Sequence, residues 1–353
     1  MSRVRTLGLT MAASVLLLAC GGSSNNTTTG GSTPGTSCSK TWKVGLVTDV
    51  GKLSDKSFNA NSYQGVTDAQ SDASLCVTGK AIESTSENDY AKNIQTFVDQ
   101  KYDMVVTVGF KLGDASIAAA KANPNVKIVM VDNADFADKV TPSNLLGLTF
   151  QEDQAGFLAG ALAGLATKTN TIAGVYGLDI PPVHKYRVGF ENGAKYTNPN
   201  IKTLGIYQPE SGAKDFNDPD FGKQNALTFF GKGADIVFGA GGNTGNGALL
   251  AAVDQKKMCV GVDVDQFNSY PDAQSCLITS AEKHLSTAVK TAIQNMVKGS
   301  FTNGVLNFDA KNGGVGYSPF HNFQSTLGAN QGKLDAILAG LKDGSIKTGY
   351  TPG

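Results

Sequence analysis

Met104-Val105-Val106-Thr107-Val108 has no polar alternation and runs straight into Gly109-Phe110. A strand with one wet face alternates apolar and polar residues. One that stays apolar is covered on both faces, as in a parallel sheet. Runs of the same kind recur outward along the chain at Lys43–Thr48, Leu75–Ile82, Lys127–Val131, Leu145–Thr149 and Thr171–Tyr176. Others follow at Lys202–Tyr207, Asp235–Phe238, Cys259–Val262 and Cys276–Thr279. The stretches between them have helical period. Tyr90, Ile94, Phe97 and Val98 fall on one helix face, and Gly156 to Leu165 is dense in Ala, Leu and Gly, which predicts close packing against a sheet. The β-α unit repeats about ten times. This is an α/β architecture with right-handed crossovers and helices on both sheet faces.

The two ends of the chain read differently. Arg3 and Arg5 precede an uncharged apolar stretch that closes in Leu17-Leu18-Ala19-Cys20. That is the layout of a secretory signal peptide over 1–19, and the run is shorter than the ~20 residues of a membrane span. The Leu-x-Ala-Cys ending resembles a bacterial lipobox, which implies cleavage before Cys20 and diacylglycerol on its sulfur. Residues 20–37 are nearly all Gly, Ser, Thr and Asn, a composition that cannot offset its own ordering entropy and reads as a tether. The expected location is the outer side of a cell membrane, lipid-anchored and facing the periplasm or the exterior.

From Cys38 onward the chain is too long for one small core and suits two α/β lobes. The first is expected over 40–150 with a return near 276–300, the second over 151–275 and about 301–353. Lys plus Arg and Asp plus Glu both number 30, a balance that disfavours nucleic acid and anionic lipid surfaces as partners. With Cys20 lipidated, Cys38, Cys76, Cys259 and Cys276 remain, an even set that suggests disulfides in an exported protein. Three pairings are possible. The strand layout favours Cys38–Cys76 and Cys259–Cys276, because each pair stands at the starts of neighbouring strands.

Ligands of open α/β sheets bind beyond the carboxyl ends of the strands. The residues found there are Asp49, Asp55, Ser57, Phe58 and Asn59 after the first strand, with Ser57 a candidate helix cap. Later strand ends supply Gly109-Phe110, Asp132-Asn133, Phe238 with Gly239-Ala240-Gly241-Gly242, Asp263-x-Asp265, and Glu282-Lys283. Carboxylates accept hydrogen bonds strongly from hydroxyls, aromatic faces sandwich a flat heterocycle, and this many carboxylates repel a phosphate. A nucleoside needs both features; a plain sugar needs less aromatic area. Gly239 to Thr244 narrowly misses G-x-G-x-x-G and reads better as glycines that let backbone approach a ligand.

The segment Val44-Gly45-Leu46-Val47-Thr48-Asp49, followed by Asp55-Lys56-Ser57-Phe58-Asn59, resembles the basic membrane protein family of ABC-transporter substrate-binding lipoproteins, the purine-nucleoside receptors. Glu152 with Phe157-Leu158-Ala159-Gly160, Pro181-Pro182-Val183, Ala240-Gly241-Gly242, and Gly261-Val262-Asp263-x-Asp265-Gln266 extend the resemblance over nearly the whole mature chain. It implies a type I periplasmic-binding fold of two hinged lobes, a monomer that captures a purine nucleoside and hands it to ABC permease subunits. It further implies Phe58 stacking on the purine, Asp49 and Asp132 bonding base or ribose, Asp263 and Lys283 holding ribose hydroxyls, and Phe238 as the second stacking ring with Tyr186 behind it. The chain departs from the usual pattern with Tyr186 for Phe, Gly177-Leu178 for a Gly pair, and an inserted Asn243. No cofactor is implied. The rival readings are a sugar or other polar solute as ligand, a nucleoside-sensing lipoprotein without transport, and a nucleoside-cleaving enzyme. Against the last, His184, His284 and His321 have no metal-ligand spacing, no G-x-S-x-G elbow occurs, and the acidic run Asp215 to Asp220 lacks the Gly and distal Glu of a calcium loop, reading instead as surface.

Overall fold

The computed structural model describes residues 38–135 and 141–351. The signal peptide, Cys20 and the tether expected over 1–37 lie outside the described residues.

The apolar runs form strands wherever continuous apolar character was read, and together they make two sheets. The first holds β1 (Trp42–Thr48), β2 (Val77–Glu83), β3 (Met104–Val108), β4 (Lys127–Val131), β5 (Leu145–Phe150) and a late arrival, β11 (Gly304–Phe308), in the order β11-β5-β4-β3-β1-β2. All its pairings are parallel. The second holds β6 (Thr171–Tyr176), β7 (Lys202–Tyr207), β8 (Ile236–Ala240), β9 (Met258–Asp263), β10 (Leu277–Lys283) and β12 (Val315–Tyr317), in the order β12-β10-β9-β8-β6-β7. Only β12 runs antiparallel to its neighbour.

The larger helices follow the same alternation: α1 (Phe58–Ser71), α2 (Tyr90–Asp99), α3 (Gly113–Ala122), α4 (Glu152–Ala166), α5 (Pro181–Thr197), α6 (Pro219–Gly231) and α7 (Gly242–Asp254). They are completed by the short α8 (Gln266–Ser269), α9 (Leu285–Val297), the short α10 (Gln324–Leu327) and α11 (Gln331–Asp343). In α2 three residues of the stripe read from the sequence are buried, Tyr90, Ile94 and Phe97, and the fourth, Val98, is half-buried. Helix α4 packs on β10 and β12 of the second sheet as expected, but its glycines serve the contact with α5: a Cβ on Gly160 would lie 2.0 Å from the Phe190 carbonyl oxygen, and one on Gly193 2.0 Å from that of Phe157. Helix axes can approach this closely only where side chains are absent.

The lobe boundaries also differ from the reading of the sequence. Residues 276–300 were expected to return to the first lobe as a block. Strand β10 instead pairs with β9 and β12 in the second sheet. The return begins at α9, which packs on α1 with Ser286 N donating to Asn61 Oδ1, and continues through β11. The chain therefore crosses between lobes after β5, after β10 and after β11. These crossings are tied together: Gln151 N donates to Phe308 O at 2.8 Å, and His284 N donates to Gly314 O at 2.9 Å.

The cysteines pair as Cys38–Cys76 and Cys259–Cys276, with Cα atoms 5.8 and 5.0 Å apart. Each bridge joins the starts of adjacent parallel strands.

Candidate functional site

The carboxyl ends of both sheets face one cleft. Of the residues singled out from sequence, Asp49, Phe58, Asn59, Asp132, Gly241, Asp263 and Lys283 all line it. Phe238 does not. It is fully buried in β8, edge-on to Tyr176 and Tyr186 and packed against Phe190. A strand covered on both faces sends its side chains into the helix layers, not past the strand end. Two aromatics line the cavity from the second lobe, Tyr186, the alternative named from the sequence, and Phe216, which the sequence reading missed. Phe216 belongs to the acidic stretch 215–220, which its composition predicts to be surface; the structure differs there, because Asp215 is fully buried. Phe216 adopts φ +57, a left-handed backbone that costs a bulky residue energy and survives only where its surroundings impose it. The ring sits where Gly177 has no side chain, since a Cβ at that position would lie 2.2 Å from Phe216 Cε1.

Two strand-end carboxylates use the same backbone device. Asp132 follows β4 at φ +68 and Asp263 ends β9 at φ +65. The left-handed turn is tolerated by Asp better than by most residues, and it carries the side chain out of the strand direction. Lys283 Nζ donates to Asp132 Oδ2 at 2.7 Å and to Glu152 Oε1 at 3.0 Å. Tyr186 Oη donates to Asp263 Oδ1 at 3.0 Å. The Lys283 ammonium also lies 4.9 Å from the Phe58 ring centroid. Its neighbouring carboxylates outweigh burial and hold it protonated.

At the other end of the cavity Asp49 Oδ1 accepts from Gly51 N at 3.0 Å. Burial pushes its carboxyl up to about 7, with partial relief from the Gly51 N–H and Lys111. Burial likewise pushes Asp263 up to about 7, against the pull of Lys283. Asp132 is raised by burial and held back by Lys283. Asp55 does the capping expected of Ser57, whose side chain makes no cap bond: its carboxylate accepts from the backbone N–H groups of Ser57, Asn59 and Ala60, and from Asn59 Nδ2. Asp55 therefore serves the start of α1 and turns Phe58 and Asn59 into the cleft.

Two buried acceptors on the wall have no donor, Asp132 Oδ1 and Asn59 Oδ1. An unpaired buried acceptor is costly, and a ligand that brings N–H or O–H groups relieves that cost. Four lining carboxylates against one lysine make the cavity a poor host for an anion. The walls are otherwise apolar, supplied by Ile180, Pro182, Val183 and Val262.

Comparison with known proteins gives a consistent picture. A family model described as "ABC transporter substrate-binding protein PnrA-like" matches residues 42–336. The "ABC transporter nucleoside-binding protein BmpA" of Lactococcus lactis is 31% identical over 290 residues, covering 77% of this chain and 80% of that protein. The "Basic membrane protein A" of Borreliella burgdorferi is 30% identical, covering 81% and 82%. Among solved structures, an ABC transporter solute-binding protein from Aeropyrum pernix superposes with a TM-score of 0.77 at 22% identity, covering 87% of this chain and 92% of that one, which supports the fold alone.

Proposed function

The chain belongs to the PnrA-like family of ABC transporter substrate-binding proteins, and on that premise we propose that its cleft captures a purine nucleoside and delivers it to a membrane permease. Binding proteins of this family take a small solute and work with an ABC transporter; they are not enzymes. The observation that carries the finer reading is the make-up of one cavity. Phe58 enters it from the first lobe and Phe216 from the second, and carboxylates stand at both ends of it. Two aromatic faces suit a flat base, each stacked face being worth about 1–3 kcal/mol. Asp132, Asp263 and Lys283 at the hinge end suit the ribose hydroxyls as acceptors and donor, and Asp49 with Asn59 faces the edge of the base. The carboxylate excess disfavours nucleotides. Closure of the lobes buries the solute, and the closed form is the one a permease engages.

Calorimetry with inosine, guanosine, adenosine, cytidine and ribose tests the reading. At least one purine nucleoside is expected to bind tightly, with ribose weaker by more than about a hundredfold, the combined worth of two stacked faces. Ribose binding as tightly as every nucleoside would overturn it. The nucleoside-binding relative from Lactococcus lactis supports the same assignment.

The same reading puts the body on the outer face of the cytoplasmic membrane, held by lipid on Cys20. No helix among the described residues is long and apolar enough to cross a membrane. Globomycin, which blocks lipoprotein maturation, should leave an unprocessed precursor, and Cys20→Ser should release the protein from the membrane fraction. Retention of a Cys20→Ser protein in that fraction after cleavage would argue for another anchor.

A further inference from the structure

Beyond the cavity lies a second set of cross-lobe contacts, built on residues that adjoin its aromatic walls. Phe110 lines the cavity from the first lobe and Phe216 from the second. Lys111 follows the one and Asp215 precedes the other. Lys111 Nζ lies 3.2 Å from Asp215 Oδ2 and 2.6 Å from Glu210 Oε1, and it also pairs with Glu87 of its own lobe. The Asp215 side chain is 0% exposed and that of Lys111 13%, whereas Glu87 and Glu210 are mostly in solvent. The inner pair, Lys111–Asp215, is therefore the one with energetic weight.

Asp215 also organises its own loop. Its Oδ1 accepts from Ser211 N at 2.7 Å, while Gln208 Oε1 accepts from Phe216 N at 3.0 Å and from Thr244 Oγ1 at 2.8 Å. One carboxylate thus fixes the loop that presents Phe216 and, through its second oxygen, ties that loop to the opposite lobe. The rim is finished by Asn246 Nδ2 donating to Asp55 O and Ser269 Oγ donating to Lys56 O.

We propose that Lys111 and Asp215 are positioning residues for ligand binding, a cross-lobe clasp that seats Phe216 against the solute and sets how long the lobes stay shut. The proposal rests on the cavity being the ligand site. Its partners stand on different lobes, so the pair holds the lobes together in the closed arrangement seen here. It adds to the closed complex and not to the encounter, and it acts on dissociation rather than association.

Stopped-flow release of inosine from the full chain tests this. Lys111→Met leaves a buried carboxylate unpaired and should speed release about tenfold or more, with the association rate changed less than about threefold. Lys111→Arg should restore most of the slow release. Glu210→Gln, at an exposed partner, should change release less than about threefold. An unchanged release rate in Lys111→Met, or a loss carried wholly by slower association, overturns the clasp. Hydrogen exchange at the Ser211 and Phe216 amides reads the clasp independently. If the wild type takes up no nucleoside, the substrate reading fails, and exchange decides the clasp alone: faster in Lys111→Met supports it, unchanged overturns it.

Discussion

Strand for strand, the two lobes are the same sheet built twice. The order β5-β4-β3-β1-β2 in the first is matched by β10-β9-β8-β6-β7 in the second, and each gains one further edge strand from the end of the chain. Equivalent strand ends can then be compared. The fourth strand of each lobe ends in a carboxylate with left-handed backbone, Asp132 in one and Asp263 in the other. The first strands differ. The first lobe places Asp49 there, while the second places Gly177, and the space that Gly177 leaves is filled by the Phe216 ring. The fifth strands differ as well, running into Glu152 in one lobe and ending in Lys283 in the other, and these two side chains pair. Where the lobes match, they offer acceptors from both sides. Where they differ, one supplies charge and the other an aromatic face, so neither lobe alone makes a complete site.

The largest expected effect comes from removing the aromatic faces. Phe58→Ala and Phe216→Ala should each weaken nucleoside binding by roughly 10–100-fold, from about 1–3 kcal/mol of stacking. Phe238→Ala should instead cost about 3–5 kcal/mol of folding stability, as a core cavity does. Denaturant melts beside calorimetry separate the two outcomes. A Phe238 variant that folds normally and fails to bind would reverse the assignment. Next comes Gly177→Val, which fills the space under Phe216 and should weaken binding about tenfold or more, since that ring must shift. An unaffected Gly177→Val would mean that the ring has room to spare.

Titration offers a subtler test of the matched carboxylates. Asp49 and Asp263 sit near 7 in the folded chain against 3.8 for the free side chain. The folded protein therefore holds protons that the unfolded chain has already lost. Folding stability from these groups falls as pH rises from about 4 to about 7. A ligand that donates to the ionised carboxylates favours them, so nucleoside affinity should rise from pH 6 to pH 8 with proton release on binding. Calorimetry in buffers of different ionisation heat measures this, and Asp263→Asn should flatten the profile. Proton uptake on binding would contradict the donor-to-carboxylate geometry. The smallest difference concerns the staples. Cys38–Cys76 closes 38 residues and Cys259–Cys276 closes 17, so opening the first by paired Cys→Ser should cost more, the gap being roughly 0.7 kcal/mol in the chain-entropy picture.

Much of this was legible before any coordinates. Continuous apolar runs such as Met104–Val108 mark buried parallel strands because both faces are covered. The strand-end rule then leads directly to Asp49, Asp132 and Asp263. The edge strands escaped notice for physical reasons. In β11 the residues alternate between exposed and half-buried, and β12 is three residues long, so neither carries an unbroken apolar signal. Phe238 misled because position along a strand says where the backbone ends but not where an inward ring points. Phe216 was hidden among charges. The clue available was its setting: an aromatic next to Asp218-Pro219, where Asp218 caps α6, so the loop before that helix is held rather than free.

The most direct test of the central claim is a co-crystal structure with inosine. The purine is expected between the Phe58 and Phe216 rings, with the ribose hydroxyls within hydrogen-bond reach of Asp132, Asp263 or Lys283 and both lobes in contact with the ligand. Inosine bound elsewhere, or held by one lobe with Phe216 turned away, would contradict that claim.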